Sequence, residues 1–492
     1  MESSDRTPKI VRTATAMLSV QGITWITSLV GVLVLPRFLG PSDFGLLASV
    51  GVAVMLMVLV AGFGTTNYLI KGTARTPERT SALVFDALAI RVGIWAALCL
   101  LILPPVLLLT NSNTLRIVMG VSAVGGFMQL AMDGFIAGFQ GNLRFGRIAF
   151  LLSAAGILGQ GALVLVVVLG GGVVGATLAT TSLALISLLL VLITFLRTFH
   201  RPSRPTWISV RALLKIGPPY LAWDVGLRAY ATLDIIMLPI LVGSTTVGAY
   251  ALAYRLVTIP VFATTIITMA TYPALSAAAV QDTEWFRKVV TNAARLSFSV
   301  TAPMSAGLAV LAPSVVQLVS GDEFGEASIL LMVLAVHIPA AAIHTVLGTS
   351  LFARDLQRRM AFVAWAAAAF NFSTNLIAIP MTEHFWGNGA IGAAATTVAT
   401  EAMMGVFLWR WSWATIDSAR LIGVVVRVCA AAAVMSICAA ASFHIAGLVA
   451  AVLVGALVYA VSSFALGVVS TGEVRRASAA LLRIRNAAPA GA

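Results

Sequence analysis

The stretch SALVFDALAIRVGIWAALCLLILPPVLLL, residues 81–109, decides the fold class. It runs for 29 residues with only two charged side chains, Asp86 and Arg91. A helix rises 1.5 Å per residue, so about 20 apolar residues cross a hydrocarbon layer ~30 Å thick. This segment is long enough to span a bilayer. Cutting the rest of the chain where charges, prolines and glycines interrupt such runs predicts about fourteen spans, near 13–35, 44–70, 81–109, 115–139, 147–169, 173–196, 212–241, 245–271, 287–312, 325–352, 360–381, 389–409, 420–441 and 445–469. An even count places both termini on one side. The first span is too long and too weakly ended for a cleaved signal peptide and is read as retained.

Composition agrees with that reading. Of 492 residues, 60% are apolar and 10% charged, with a mean hydropathy of +0.99, against roughly 45–50% and about 25% in soluble proteins. A water-soluble fold is excluded, and an all-α polytopic membrane protein is expected. The net charge of +13 would suggest nucleic acid in a soluble chain, but its placement points elsewhere. With the N-terminus inside, 24 of the 31 Lys and Arg residues fall in inner segments, two (Arg37 and Arg116) in outer loops, and five (Arg91, Arg228, Arg255, Arg295 and Arg427) within spans. Positive segments resist translocation, which sets this orientation. The basic surplus then meets anionic membrane lipid at the inner face, and no nucleic-acid partner is expected.

No loop exceeds about 20 residues, so no extramembrane catalytic domain is expected, and the chain is not read as an enzyme. Cys99, Cys429 and Cys438 lie in apolar runs without metal or redox spacing. His337 and His344 stand at i and i+7 without a third ligand at metal-site spacing. No cofactor or metal is expected, because no phosphate-cradling glycine loop or nucleophile motif occurs. Trp409, Trp411 and Trp413 read as an aromatic belt at the inner interface.

The chain also repeats itself weakly and in register. Gly40 and Gly45 match Gly243 and Gly248, Arg91 matches Arg295, Arg147-Ile-Ala-Phe150 matches Arg359-Met-Ala-Phe362, and Gly172-Val-Val-Gly175-Ala matches Gly389-Ala-Ile-Gly392-Ala. The offsets grow slowly from 203 to 217. Two six-helix lobes with parallel topology follow, since an even number of spans per repeat preserves orientation. The expected organisation is a first lobe over 1–196, a basic cytoplasmic linker over 197–211, a second lobe over 212–411, and two further spans with a basic tail over 412–492.

Ionisable groups at bilayer depth cost at least ~2.5–3.5 kcal/mol each, so they face a cavity or a partner. Arg91, Arg228 and Arg255 all come within a turn or two of mid-membrane depth. A guanidinium binds phosphate oxygens bidentately and keeps its charge at any cellular pH, so a cationic hollow suited to an anionic cargo is expected. Asp224 and Arg228, at i and i+4, either neutralise each other or leave Arg228 for cargo. Arg295 and Arg427 lie close enough to the inner face to snorkel. Asp133 is placed to pair with Arg91 or with inner arginines. Asp234 and Glu401 have no sequence-local basic partner and, with Asp133 and Asp224, are the candidates for ion coupling. Asn371 and Asn375, at i and i+4, read as interhelical glue or as sugar-binding amides.

Several segments together resemble a known family. They are Leu39-Gly-Pro-Ser-Asp-Phe-Gly-Leu-Leu-Ala48, Ala61-Gly-Phe-Gly64 through Lys71, Gln140-Gly141 with the following Arg-Phe, Gly248-Ala-Tyr-Ala-Leu-Ala-Tyr-Arg255, Gly321-Asp-Glu-Phe324 with Ala327, and Gly389-Ala-Ile-Gly-Ala-Ala394. They look like the polysaccharide-transporter (Wzx-like oligosaccharide flippase) branch of the multidrug/oligosaccharidyl-lipid/polysaccharide (MOP, MATE-like) superfamily. The resemblance implies alternating access in a multi-pass protein of the cell inner membrane, both termini cytoplasmic. It implies a cargo of polyprenyl-diphosphate-linked oligosaccharide, moved to the outer leaflet for surface polysaccharide, with polysaccharide assembly proteins as partners. Arg255 falls in a matching segment, and Arg91 and Arg228 carry over by position. The runner-up is a cation-coupled MATE-type exporter; a membrane-embedded glycosyltransferase or polymerase would need a large catalytic outer loop. A major-facilitator carrier is disfavoured, since Lys71 to Arg79 lacks that family's Gly-x3-Asp-Arg-x-Gly-Arg loop.

Overall fold

In lipid every backbone N–H and C=O must find its partner within the chain, which for these apolar runs means helix. The computed structural model describes residues 3–142, 144–199, 207–354 and 356–468. The expected basic tail beyond 468 and the centre of the 197–211 connection lie outside the described residues. The helices are α1 (Ser3–Gly62), α2 (Thr65–Arg75), α3 (Thr80–Leu109), α4 (Asn113–Gly141), α5 (Gly146–Val168), α6 (Gly172–Thr198), α7 (Trp207–Leu241), α8 (Ser244–Gln281), α9 (Thr283–Val310), α10 (Ala312–Ser320), α11 (Glu326–Ala335), α12 (Ile338–Ala353), α13 (Gln357–Trp386), α14 (Gly389–Ser412) and α15 (Ser418–Ala465). No strand occurs among the described residues. Side chains close several helix starts: Ser112 accepts from the Leu115 amide, Asp282 from Glu284 and Asp417 from Arg420, satisfying donors that a helix N-terminus leaves open.

The all-α polytopic reading stands, but the count of fourteen is not reproduced. Among the described residues nine helices are long and apolar enough to cross a membrane, or up to eleven if each sharply bent pair is one span. The differences have local causes. The expected turn between the first two spans is a single non-helical residue, Gly40 at φ 71°, inside α1. The last two expected spans likewise share α15, kinked at Gly447 at φ 78°. The second expected span, 44–70, breaks at Phe63 and Gly64, both left-handed at φ 50° and 64°, and resumes as α2. The α9–α10 pair bends by 78°, and the single span expected over 325–352 is α11 and α12 bent by 44°.

The chain resolves into two compact units. One comprises Met1–Leu252, Val319–Glu326 and Ala364–Ala393; the other comprises Ala253–Leu318, Ala327–Val363 and Ala394–Ala492. In the first unit α4 packs on α6 and α3 around buried Phe195, whose ring meets those of Phe85, Phe135, Phe139 and Phe199 at centroid distances of 4.7–6.5 Å. In the second unit α9 lies against α15 and α12. There the Tyr459 hydroxyl donates to Ser299 O at 2.6 Å and the Ser305 hydroxyl to Ala335 O at 2.6 Å.

Candidate functional site

The break between α1 and α2 sets the site. Two consecutive left-handed residues end α1 within an apolar run, and a bulky residue at positive φ, here Phe63, is strained. The break brings the first turn of α2 to the wall of a cavity of about 400 Å³ in the first unit. Gly62, Gly64 and Thr66 line it, with Met55 and Val58 of α1, Arg91 of α3, Gln129, Leu130 and Asp133 of α4, and Arg228 of α7.

Arg91 is 1% exposed and ties the broken helix to its neighbours. Its Nε donates to Thr65 Oγ1 at 3.0 Å, Nη2 to Thr66 Oγ1 at 2.8 Å and Nη1 to Leu130 O at 2.8 Å. One planar fork thus holds the start of α2 against α4, using neutral acceptors, so its charge is not consumed by a direct ion pair. Arg228 differs. It is exposed, and its Nη1 rests 3.8 Å from Met55 Sδ. Asp133, half-buried, accepts from Gln129 Nε2 at 2.8 Å and lies within electrostatic reach of both Arg91 and Arg228.

The structure therefore brings together two of the three expected arginines, with one expected carboxylate. Arg255 sits half-buried on α8 in the second unit and is not among the residues lining this cavity. Asp224 lies on α7, and its side chain is outside the described residues. Asp234 is buried at 2% exposure. It accepts from the Tyr250 hydroxyl and from Asn375 Nδ2, which also donates to Asn371 Oδ1 at 3.0 Å. The two asparagines thus bridge α13 to α7, the glue arrangement. Glu401, buried on α14, meets His344 Nδ1 of α12 at 2.8 Å. Sequence reasoning missed Thr65 beside Arg91, Thr66 and Gln129 in the cavity, and Tyr250 beside Asp234. The run Gly62-Phe63-Gly64-Thr65-Thr66 carried the signal for the first two, because two glycines flanking one residue interrupt a span and two hydroxyls follow at once.

A helix bundle of this kind, crossing the bilayer many times, is shared with known transporters. The chain superposes on the lipid II flippase MurJ in its inward closed conformation with a TM-score of 0.73 at 13% identity, covering 92% of this chain and 98% of that one. On an inward-facing multidrug resistance MATE family transporter of the MOP superfamily the TM-score is 0.64 at 16% identity, covering 85% and 98%. At such identities the likeness is one of fold alone, and it defines a multi-pass helical membrane protein. Within that class the chain belongs to the polysaccharide biosynthesis protein family, which it matches over residues 10–279. Over 202 residues it is also 23% identical to the probable low-salt glycan biosynthesis flippase Agl15 of Haloferax volcanii, a stretch covering 41% of this chain and 42% of that relative.

Proposed function

We propose that this protein is a flippase that moves a polyprenyl-diphosphate-linked oligosaccharide from the inner to the outer leaflet for surface polysaccharide assembly. The observation that carries the proposal is the presence of Arg91 and Arg228 on one cavity in a member of a polysaccharide biosynthesis family. A diphosphate brings two negative charges into a low-dielectric hollow, where a fixed cation and an exposed one stabilise it by charge-assisted hydrogen bonds. Arg91, anchored three ways, supplies fixed positive potential, and Arg228 supplies the fork that reaches the phosphate oxygens. Arg255 is a third proposed contact, met at another stage of alternating access.

The proposal includes two parallel lobes over 1–196 and 212–411, joined by 197–211 and followed by an appendage over 412–492. It also includes cytoplasmic termini in the cell inner membrane and coupling through Asp133, Asp224, Asp234 or Glu401. Polysaccharide assembly proteins and anionic inner-leaflet lipid are the proposed partners. A drug exporter driven by cations is disfavoured, because such cargo gains nothing from two guanidinium groups in its cavity.

The test uses proteoliposomes carrying the full chain and a fluorescently tagged polyprenyl-diphosphate disaccharide, with an impermeant quencher reporting the exposed leaflet. Arg228→Ala is expected to abolish translocation while elution and thermal stability stay at wild-type values. Wild-type translocation in both Arg228→Ala and Arg228→Glu refutes a cargo role for this side chain.

A further inference from the structure

The second unit holds an ionisable pair that the cargo cavity does not use. His344 and Glu401 come from α12 and α14, 57 residues apart in sequence, with side chains each 10% exposed and Nδ1 2.8 Å from Oε2. Neither residue lies at a helix end, where water would satisfy it. The Nε2 edge of the imidazole faces Gly405, one turn after Glu401. A Cβ at that position would stand 2.6 Å from Nε2 and 3.3 Å from Cε1. The ring edge therefore occupies the space a side chain would take, with Nδ1 on the carboxylate and Nε2 nearest the open Gly405 position. His344 and Gly405 also line one cavity, of about 680 Å³, with Ile343, Leu347, Trp409 and Arg410.

We infer that His344 and Glu401 form a proton-carrying site that opens on this cavity, and that it couples proton movement to the transport cycle. The chemistry follows from the two ring nitrogens. With Glu401 ionised, Nδ1–H donates to Oε2, leaving the Nε2 lone pair to accept a proton from the cavity. Uptake of one proton there converts imidazole to imidazolium, still paired with the carboxylate, and takes the pair from a net charge of −1 to neutral. In a low dielectric the neutral form is held while the cavity is dry, and the proton leaves when water enters.

The charged groups around the pair suit a single proton. Arg410 of α14 lines the cavity. From α9, which packs along α12, Phe298 and Ala302 share an apolar cluster with Ile343, and Arg295 stands one turn before Phe298. The remaining ionisable residues of α9, namely Glu284, Arg287 and Lys288, belong to its exposed first turns. His337 precedes α12 by one residue, two turns from His344. The Arg410 cation on the same cavity opposes a state in which both His344 and Glu401 bind protons, so the site carries one.

The coupling half of this inference rests on the flippase reading; the proton site does not, and the two fail differently. The full chain is labelled with 15N-histidine, placed in lipid nanodiscs and titrated from about pH 5 to about pH 8.5, with His344→Asn assigning the resonance among the five histidines. The expected result is one protonation step for His344 in the wild type, absent from that window in Glu401→Gln. Gly405→Ala, which removes no ionisable group and fills the space beside the ring edge, is expected to suppress the same step. A His344 signal that stays unprotonated throughout, or a step unchanged in both variants, overturns the site. If the step is present and Glu401→Gln leaves proton-gradient-driven translocation of the tagged disaccharide within twofold of wild type, the coupling is overturned and the site stands. Should wild-type vesicles not translocate the disaccharide at all, the flippase reading fails and the titration is still decisive.

Discussion

Arg91→Lys isolates geometry from charge. The substitution keeps a cation at the same depth and removes the planar fork that reaches Thr65 Oγ1, Thr66 Oγ1 and Leu130 O together. A single ammonium on a flexible stem cannot hold three acceptors lying on two helices in the directions that the guanidinium satisfies. At least two of the three bonds are lost, and hydrogen bonds to a charged group contribute about 1.5–3 kcal/mol each. The Thr65 hydroxyl retains its bond to Gly62 O at 2.6 Å, which softens the loss and favours the lower end. A net cost of about 3 kcal/mol follows, equivalent to a shift on the order of a hundredfold in the folding equilibrium. At about 2 °C per kcal/mol, suited to a large domain, the thermal midpoint falls by roughly 6 °C. Thermal unfolding in detergent, followed by tryptophan fluorescence, measures it, with Arg228→Lys as the control. Arg228 is exposed and makes one contact with a thioether, so its replacement is expected to leave the midpoint unchanged. A midpoint for Arg91→Lys within about 1 °C of wild type refutes the view that this guanidinium fastens the broken helix.

Two further outcomes probe the same architecture. Gly64 holds φ 64° beside Phe63 at φ 50°, and an L side chain in that region costs roughly 1–2 kcal/mol. Gly64→Ala is expected to lower the thermal midpoint by a few degrees, and Gly64→Asn, which tolerates this region better, by less. Phe195 is fully buried at the centre of the aromatic cluster, and Phe195→Ala is expected to cost about 3–5 kcal/mol. It should be read as loss of monodisperse protein after extraction, rescued in part by Phe195→Leu.

What was legible in the sequence divides along the range of the interactions. Arg91 announces itself as a lone cation in a long apolar run, because hydropathy is local and a charge in lipid demands an explanation wherever it stands. Its partners do not announce themselves. They depend on a helix ending at Phe63, and the Gly-Phe-Gly-Thr-Thr run that marks this break does not say which side chain its hydroxyls will meet. For the same reason the count of spans was the weakest part of the reading. Gly40 and Gly447 bend a continuous helix where a loop was expected, and periodicity cannot distinguish a kink from a turn. The carboxylates follow this rule as well. Asp234 and Glu401 have no sequence-local basic partner, and the partners that the structure describes for them are distant in sequence. It gives Tyr250 and Asn375, 16 and 141 residues away, to one and His344, 57 residues away, to the other. The phenol and amide that meet Asp234 are neutral donors, whereas an imidazole beside a carboxylate can take up a proton of its own. The chemistry that separates these two acids thus lies in contacts between helices, beyond the reach of spacing along either one.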